Sequence, residues 1–394
     1  MPSLTRVMIL YVGQGMMTLV EIYSNGVAKP AADYLALIDA GGSSDKAADA
    51  VDYVVTKILA KADKKLDLVS ISHQDGDHVT LLKSLAEKLT GKGATCGRIF
   101  AGGSGWSSAR AQTVKDFAKV VGIVPETIVF GVPYCTDYAG AKKRDELKHL
   151  AQFGDVFFRI LVSGLAVTGP GITPDVQKNA SSAMVVIENG SFSVVLPGDA
   201  TYQTMEAAIG ILQAAPSLLP QVVALEIPHH GALRTAVENY YAQGQLKDFN
   251  WTKLEEFAGV LNAKWVLASA GPRNNHNHPI EEVFRVFYPW LIAIPMHDYT
   301  SFIFEPYMDQ IPRGWTTWTN ATAATSSTVQ RLNFPNGVLA TGNLEVSITG
   351  QGLLATEDMV RFIPRSLIPG GAGPDDIEDL IVFAPAPYES ARAT

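Results

Sequence analysis

Between residues 70 and 82 the chain reads SISHQDGDHVTLL, which places His73, Asp75, Asp77 and His78 in the pattern H-x-D-x-D-H. Imidazole nitrogen and carboxylate oxygen together suit borderline and hard divalent cations, zinc or manganese, better than copper(I) or an iron–sulfur cluster. A tight loop can aim His73 and Asp75 at one ion and Asp77 and His78 at a second. Any one of these aspartates would pass for a turn or helix-capping residue, but the four together point to metal. One loop does not close such a site, because each ion needs about four to six ligands. Asp199 in LPGDA could bridge two ions, while His229 and His230 in IPHHG and His278 in NHNHP offer further imidazoles. Of the eight histidines only His149 lies away from these clusters, and His276 and His297 are expected to support the site without binding metal.

The elements that must position these residues are legible around them. RVMILYV, TLVEIYS and YLALIDAGG read as a meander of three strands. In DKAADAVDYVVTKILAKA the period changes, with Ala47, Val51, Val54, Ile58 and Leu59 on one helical face. LDLVSIS is a continuous apolar run, as expected of a strand buried on both sides, and it delivers the metal loop at its carboxyl end. Leu81, Leu82, Leu85 and Leu89 give the following helix a buried stripe that stops near Gly91. SSAMVVIENGSFSVVLPGDAT reads as a hairpin around Asn189 and Gly190, and VVALEIPHHGA and KWVLASAGPRNNHNHP as two further strands. Each of these segments ends in Asp or His.

Past about residue 305 the style changes. TTWTNATAATSSTVQ has no period, VLATGNLEVSITGQG looks like a hairpin and PGGAGPDD resembles a linker. The expected division is a domain over residues 1–305 and an accessory segment over 306–394, the latter available to a protein partner.

Composition narrows the classes. A hydrophobic fraction of 47% beside 18% charged residues is an ordinary globular balance and argues against general disorder. The formal charge of -8 means that a polyanion could be held only by a local basic patch, and Lys142, Lys143, Arg144 and Lys148 read as a solvated face. Two cysteines, Cys96 and Cys135, are too few for a disulfide framework or a cysteine-rich zinc site. Gly13, Gln14 and Gly15 interrupt the first apolar run before it reaches signal-peptide or spanning character, so a cytoplasmic protein without a membrane segment is expected.

The ordered set YVGQG, LIDAGG, SHQDGDH, LPGDA, PHHGA and SAGPRNNHNHP resembles the metallo-β-lactamase-fold hydrolases. It is most similar to the bacterial branch found as the soluble domain of DNA-internalisation competence proteins. The resemblance covers roughly residues 5 to 305 and implies an α/β fold, a four-layer αβ/βα sandwich with a dinuclear metal site on one edge. It implies metal ligation by His73, Asp75, Asp77, His78 and Asp199, and by members of the group His229, His230 and His278. Asn179, Ser181 and Asn274 are expected to line the substrate site. The chain departs from relatives in having VTLL where a Gly-Gly pair is common, and His276 with Asn277 where Tyr-Gly is common. No membrane channel is expected beside this domain, and the expected role is accordingly not DNA uptake.

Two zinc or manganese ions would acidify a water between them. Asp77 would orient the resulting hydroxide, and one of His229, His230 or His278, with His230 the residue assigned, is expected to help a leaving oxygen depart. A phosphodiesterase or nuclease acting on a nucleotide or single-stranded nucleic acid is the favoured expectation. The alternatives are hydrolysis of carboxylic ester, lactone or β-lactam bonds, and a non-catalytic metal-binding component of a bacterial assembly such as a defence system.

Overall fold

The computed structural model describes residues 3–10, 12, 15–42, 47–131, 148–169, 172–232, 247–263, 265–267, 269, 286–287, 342–349 and 360–364. Its first sheet contains β1 (Leu4–Ile9), β2 (Thr18–Tyr23), β3 (Tyr34–Ile38), β5 (Leu68–Ile71), β7 (Ile99–Ala101), β14 (Gly342–Thr349) and β15 (Val360–Pro364), in the order β15-β14-β1-β2-β3-β5-β7. β1, β2 and β3 form the antiparallel meander, whereas β3, β5 and β7 run parallel. Parallel neighbours need crossovers. α1 (Ala48–Ala60) links β3 towards β5, and α2 (Gly76–Val79) with α3 (Leu81–Leu89) links β5 towards β7.

The second sheet has the order β13-β12-β11-β10-β9-β8, from β8 (Lys148–Phe153), β9 (Val156–Val162), β10 (Met184–Asn189), β11 (Phe192–Leu196), β12 (Gln221–Glu226) and β13 (Trp265–Leu267). β8 to β11 are antiparallel, and β11, β12 and β13 are parallel. Their crossovers carry α6 (Tyr202–Ala214) and α7 (Lys247–Leu261). A two-stranded ribbon of β4 (Lys65–Leu66) and β6 (Thr95–Cys96) completes the described strands.

Alternation along the strands decides the layering. Val7, Val20, Ala36 and Ile38 of the first sheet share one core with Val185, Ile187, Val195 and Leu225 of the second. Their odd-even neighbours Met8, Leu19, Leu37 and Val69 face the other way, onto Val51, Val54 and Ile58 of α1, Leu85 of α3, and Val114 and Phe117 of α4 (Ser108–Val120). Met205, Ala208 and Leu212 of α6, with Leu254 and Phe257 of α7, belong to the core of the second sheet. The result is the expected helix, sheet, sheet, helix order. Asn189 ties the two sheets at the edge away from the metal loop, its Nδ2 donating to Ser3 O at 2.8 Å and Thr5 Oγ1 at 3.0 Å.

The segment past residue 305 supplies β14 and β15, and β14 pairs antiparallel with β1. Of the stretch VLATGNLEVSITGQG the described residues are those of β14, Gly342–Thr349, whose antiparallel partner is β15, Val360–Pro364; the rest of the expected hairpin lies outside the described residues. The alternation of Leu344, Val346 and Ile348 suits one uninterrupted strand, with Ile348 fully buried. Among the described residues no helix is long and apolar enough to cross a membrane.

Candidate metal centre

The site lies where the parallel strands end. Beyond β5 the chain turns through Ser72 and His73, both buried, and enters α2 with Asp77 and His78 in its single turn. Backbone bonds lash this loop to its neighbours: Met16 N–H donates to Asp77 O at 2.9 Å and Ala40 N–H to His78 O at 2.8 Å. The packing is so close that a β-carbon on Gly41 would lie 2.0 Å from the carbonyl carbon of Asp77. Only glycine lets LIDAGG lie against the metal loop.

Asp199 follows β11 and is buried. His229 and His230 follow β12 in the turn Pro228–Gly231, both with left-handed backbone at φ 48° and 52°. Such conformations cost about 1–3 kcal/mol each and gather at functional sites. Here they bring two consecutive imidazoles to the same carboxylate. His229 N–H donates to Gly198 O at 2.9 Å, which couples this turn to the loop that carries Asp199.

Asp199 stands between two groups of donors. Its Oδ2 lies 3.6 Å from His73 Nε2 and 3.4 Å from His229 Nε2, and Asp75 Oδ2 lies 3.8 Å from the same His73 nitrogen. Its Oδ1 lies 3.0 Å from His78 Nε2 and 3.5 Å from His230 Nε2, with Asp77 Oδ2 3.7 Å from His230. His73, His78 and Asp199 form one cluster able to hold a metal ion, and Asp77, His78 and His230 form another.

The imidazoles are oriented from behind. His78 Nδ1 donates to Asp39 Oδ2 at 2.8 Å, and Ser72 Oγ donates to the same oxygen at 2.7 Å. Ser72 Oγ, 3.1 Å from His73 Nδ1, is left to accept that ring's proton. A single buried carboxylate thus places the Nε2 lone pairs of both rings towards Asp199, the arrangement that makes imidazole a ligand. His230 Nδ1 likewise donates to Ser269 O. Asp39 and Ser72 are not among the residues assigned from sequence, although Asp39 ends an apolar run as the assigned aspartates do.

Electrostatics follow from burial and proximity. Burial works against charge on Asp199, but His229, His78, His230 and His73 hold it well below the usual carboxylate range. Asp77 is lowered in the same way, its burial outweighed by His230 and His78. Burial opposes charge on His78 and His230 too, yet Asp199 raises both, joined by Asp39 for His78 and by Asp77 for His230. Burial dominates at His229, which is lowered, and at Glu226, which is pushed up to about 8.

These residues fit a divalent metal. Nε2 of His73, Nε2 of His78 and Oδ1 of Asp199 are buried without a hydrogen-bond partner, a costly arrangement that a cation among them would relieve. The donors are imidazole nitrogens and carboxylate oxygens, the set that zinc and manganese accept.

Of the other residues assigned from sequence, Asn179 and Ser181 belong to α5 (Pro174–Ala180) and its C-terminal cap and are buried. Asn179 Oδ1 has no hydrogen-bond partner. Ser181 Oγ donates to Lys178 O at 2.7 Å and accepts from Ser104 N–H at 2.8 Å, holding α5 against the loop after β7. His278 and Asn274 lie outside the described residues, as do His276 and His297. His149 is exposed on β8, apart from these donors.

No protein-family model matches the chain. It is 22% identical over 254 residues to ComE operon protein 3 of Bacillus subtilis (strain 168), a match that takes in 64% of this chain and 26% of that protein. The chain thus corresponds to about a quarter of that relative's length. Among solved structures it is similar to the metallo-beta-lactamase fold protein YhfI from Bacillus subtilis, at 17% identity and a TM-score of 0.39 over 73% of this chain and 94% of that one. It is also similar to unliganded yeast PDE1, at 9% identity and a TM-score of 0.42 over 74% of this chain and 95% of that one. Two stacked sheets thus lie between helical layers, with Asp and His gathered at the ends of β5, β11 and β12, and in sequence the chain is similar to one part of ComE operon protein 3.

Proposed function

We propose that the chain is a metal-dependent hydrolase that cleaves phosphodiesters. The observation that carries this reading is Asp199, whose two carboxylate oxygens each face a separate group of His and Asp donors. His73, Asp75, Asp199 and His229 would hold one ion, and Asp77, His78 and Asp199 a second, with His278 as a further candidate ligand. Two such cations, zinc or manganese, would neutralise the charge of an anionic ester and favour ionised water at neutral pH.

The remaining work falls to the chain. Asp77, with a side chain one-third exposed, is the carboxylate placed to accept a hydrogen bond from the attacking water. His230 is anchored through Nδ1 on Ser269 O and turns Nε2 towards Asp77, a position from which a proton can pass to the departing oxygen. Asn179 and Asn274 are the proposed contacts to the rest of the substrate, with Ser181 bracing Asn179.

Metal content of the purified protein, measured beside turnover of bis-p-nitrophenyl phosphate in zinc and in manganese, tests the reading. Two equivalents of metal, and turnover that falls at least about a thousandfold in Asp77→Ala, are expected. Bound metal with no turnover of any phosphodiester would move the reading to another scissile bond, and absence of metal would end it.

A further inference from the structure

The centre is not equally buried on all sides. His73, His78 and Asp199 are closed off, while the side chains of Asp75 and Asp77 keep 27% and 32% of their exposure. Solvent therefore reaches the site past Asp75-Gly76-Asp77. Two cations stand at that mouth. Lys178 Nζ lies 3.1 Å from Asp75 Oδ1, and Arg110 lays its guanidinium on Gly76, where a β-carbon would come within 2.8 Å of Nη2. Glycine at position 76 lets the guanidinium lie this close to the metal loop.

Lys178 has carboxylate neighbours, Asp75 and Asp175. Arg110 is different: it is half-buried, and among the described residues no carboxylate pairs with its guanidinium. A half-buried guanidinium without a counter-ion, beside a site that opens to solvent, is a ready partner for an anion.

Both cations are held by one support. Gln74, inside the metal loop, donates through Nε2 to Ser104 O at 2.9 Å and accepts from Ser107 N–H at 2.7 Å. Ser107 caps α4, and its Oγ accepts the N–H of Arg110 itself. Ser104 N–H bonds Ser181 Oγ, which in turn bonds the carbonyl of Lys178. The loop over residues 104–107 thus sets both cations relative to the metal ligands.

We propose that Arg110 and Lys178 form an anion clamp that grips a phosphate next to the scissile one, so that the substrate is a short single-stranded oligonucleotide carrying more than one phosphate. This rests on the phosphodiesterase reading and narrows it. A neutral ester or lactone has nothing for the clamp to hold. In a chain of formal charge -8, the two residues supply attraction where the overall field does not.

The test is fluorescence anisotropy of a labelled, phosphorothioate-linked oligothymidylate on the metal-loaded protein across a salt series. Each lost phosphate contact lowers the slope of log affinity against log salt by about 0.7 for a single strand. Arg110→Gln and Lys178→Gln are each expected to lower it, and the double variant, which loses the one phosphate that both grip, by about 0.7, while Lys178→Arg and the exposed control Lys83→Gln keep the wild-type slope. No binding by the wild type, an unchanged slope in the double variant, or an equal drop in Lys83→Gln would overturn the clamp. Parallel assays with bis-p-nitrophenyl phosphate separate the two ideas. Turnover with an unaltered slope removes the clamp and leaves the phosphodiesterase, whereas the expected slopes without turnover keep the clamp and remove the phosphodiesterase.

Discussion

Asp39 Oδ2 accepts the Nδ1–H of His78 at 2.8 Å, and the other nitrogen of that ring faces Asp199 Oδ1 at 3.0 Å. One imidazole thus connects a carboxylate behind the site to the carboxylate at its centre. Asp39 also holds Ser72 through its backbone N–H at 2.6 Å and its hydroxyl at 2.7 Å, which extends its influence to His73.

Asp39→Asn should therefore weaken metal binding without contributing a ligand of its own. A fall of about 10- to 100-fold in affinity is expected from the loss of ring orientation, read by competition with a chelating dye. Asp39→Ala should add a stability cost of about 1–3 kcal/mol, since the Ser72 and His78 donors lose their buried acceptor. Wild-type affinity in both variants would show that the ring needs no such support.

Metal should stabilise the fold through Asp199. Zinc or manganese at a hundred times its Kd is expected to add about 2.7 kcal/mol, seen as a higher unfolding midpoint. Asp199→Asn should lose most of that increase, because both groups of donors share this carboxylate. An undiminished increase would place the metal elsewhere.

Gly41→Ala forces the metal loop away from β3, because the new methyl group would overlap the backbone of Asp77 and His78. Overpacking of this kind costs about 1–3 kcal/mol, measurable in urea, and the displaced Asp77 should take metal stoichiometry down with it. A variant with native stability and full metal content would contradict the close packing.

Cys96 should be inert in the native protein. Burial pushes its thiol up to about 12, so at pH 8 the thiolate fraction is about three orders of magnitude below that of an exposed cysteine. Iodoacetamide labelling followed by peptide mass mapping should modify Cys96 only after unfolding. Because the folded pKa is raised, the stability linked to this group is complete below about pH 8.5 and declines as pH rises towards 12. Labelling of the folded protein at the rate of a free thiol would refute this.

Much of the fold was written into local pattern. The helical stripe of α1, the apolar run of β5 and the Asn189-Gly190 turn are short-range signals of period and turn chemistry, and each element formed where its pattern predicts. The place of β14 is a different matter: it pairs with β1, more than 300 residues away in sequence, and no local pattern names that partner.

The sequence by itself determined the kinds of donor and the strand ends that carry them, because ligand chemistry and hydrophobic period are properties of neighbouring residues. Only the tertiary structure decided that Asp199 faces His73 and His229 with one oxygen and His78 and His230 with the other. Only it set Asp39 behind two rings and laid Arg110 on Gly76. Those relations join residues far apart in the chain, and they arise from how two sheets stack and how closely their loops can pack, which no local spacing encodes.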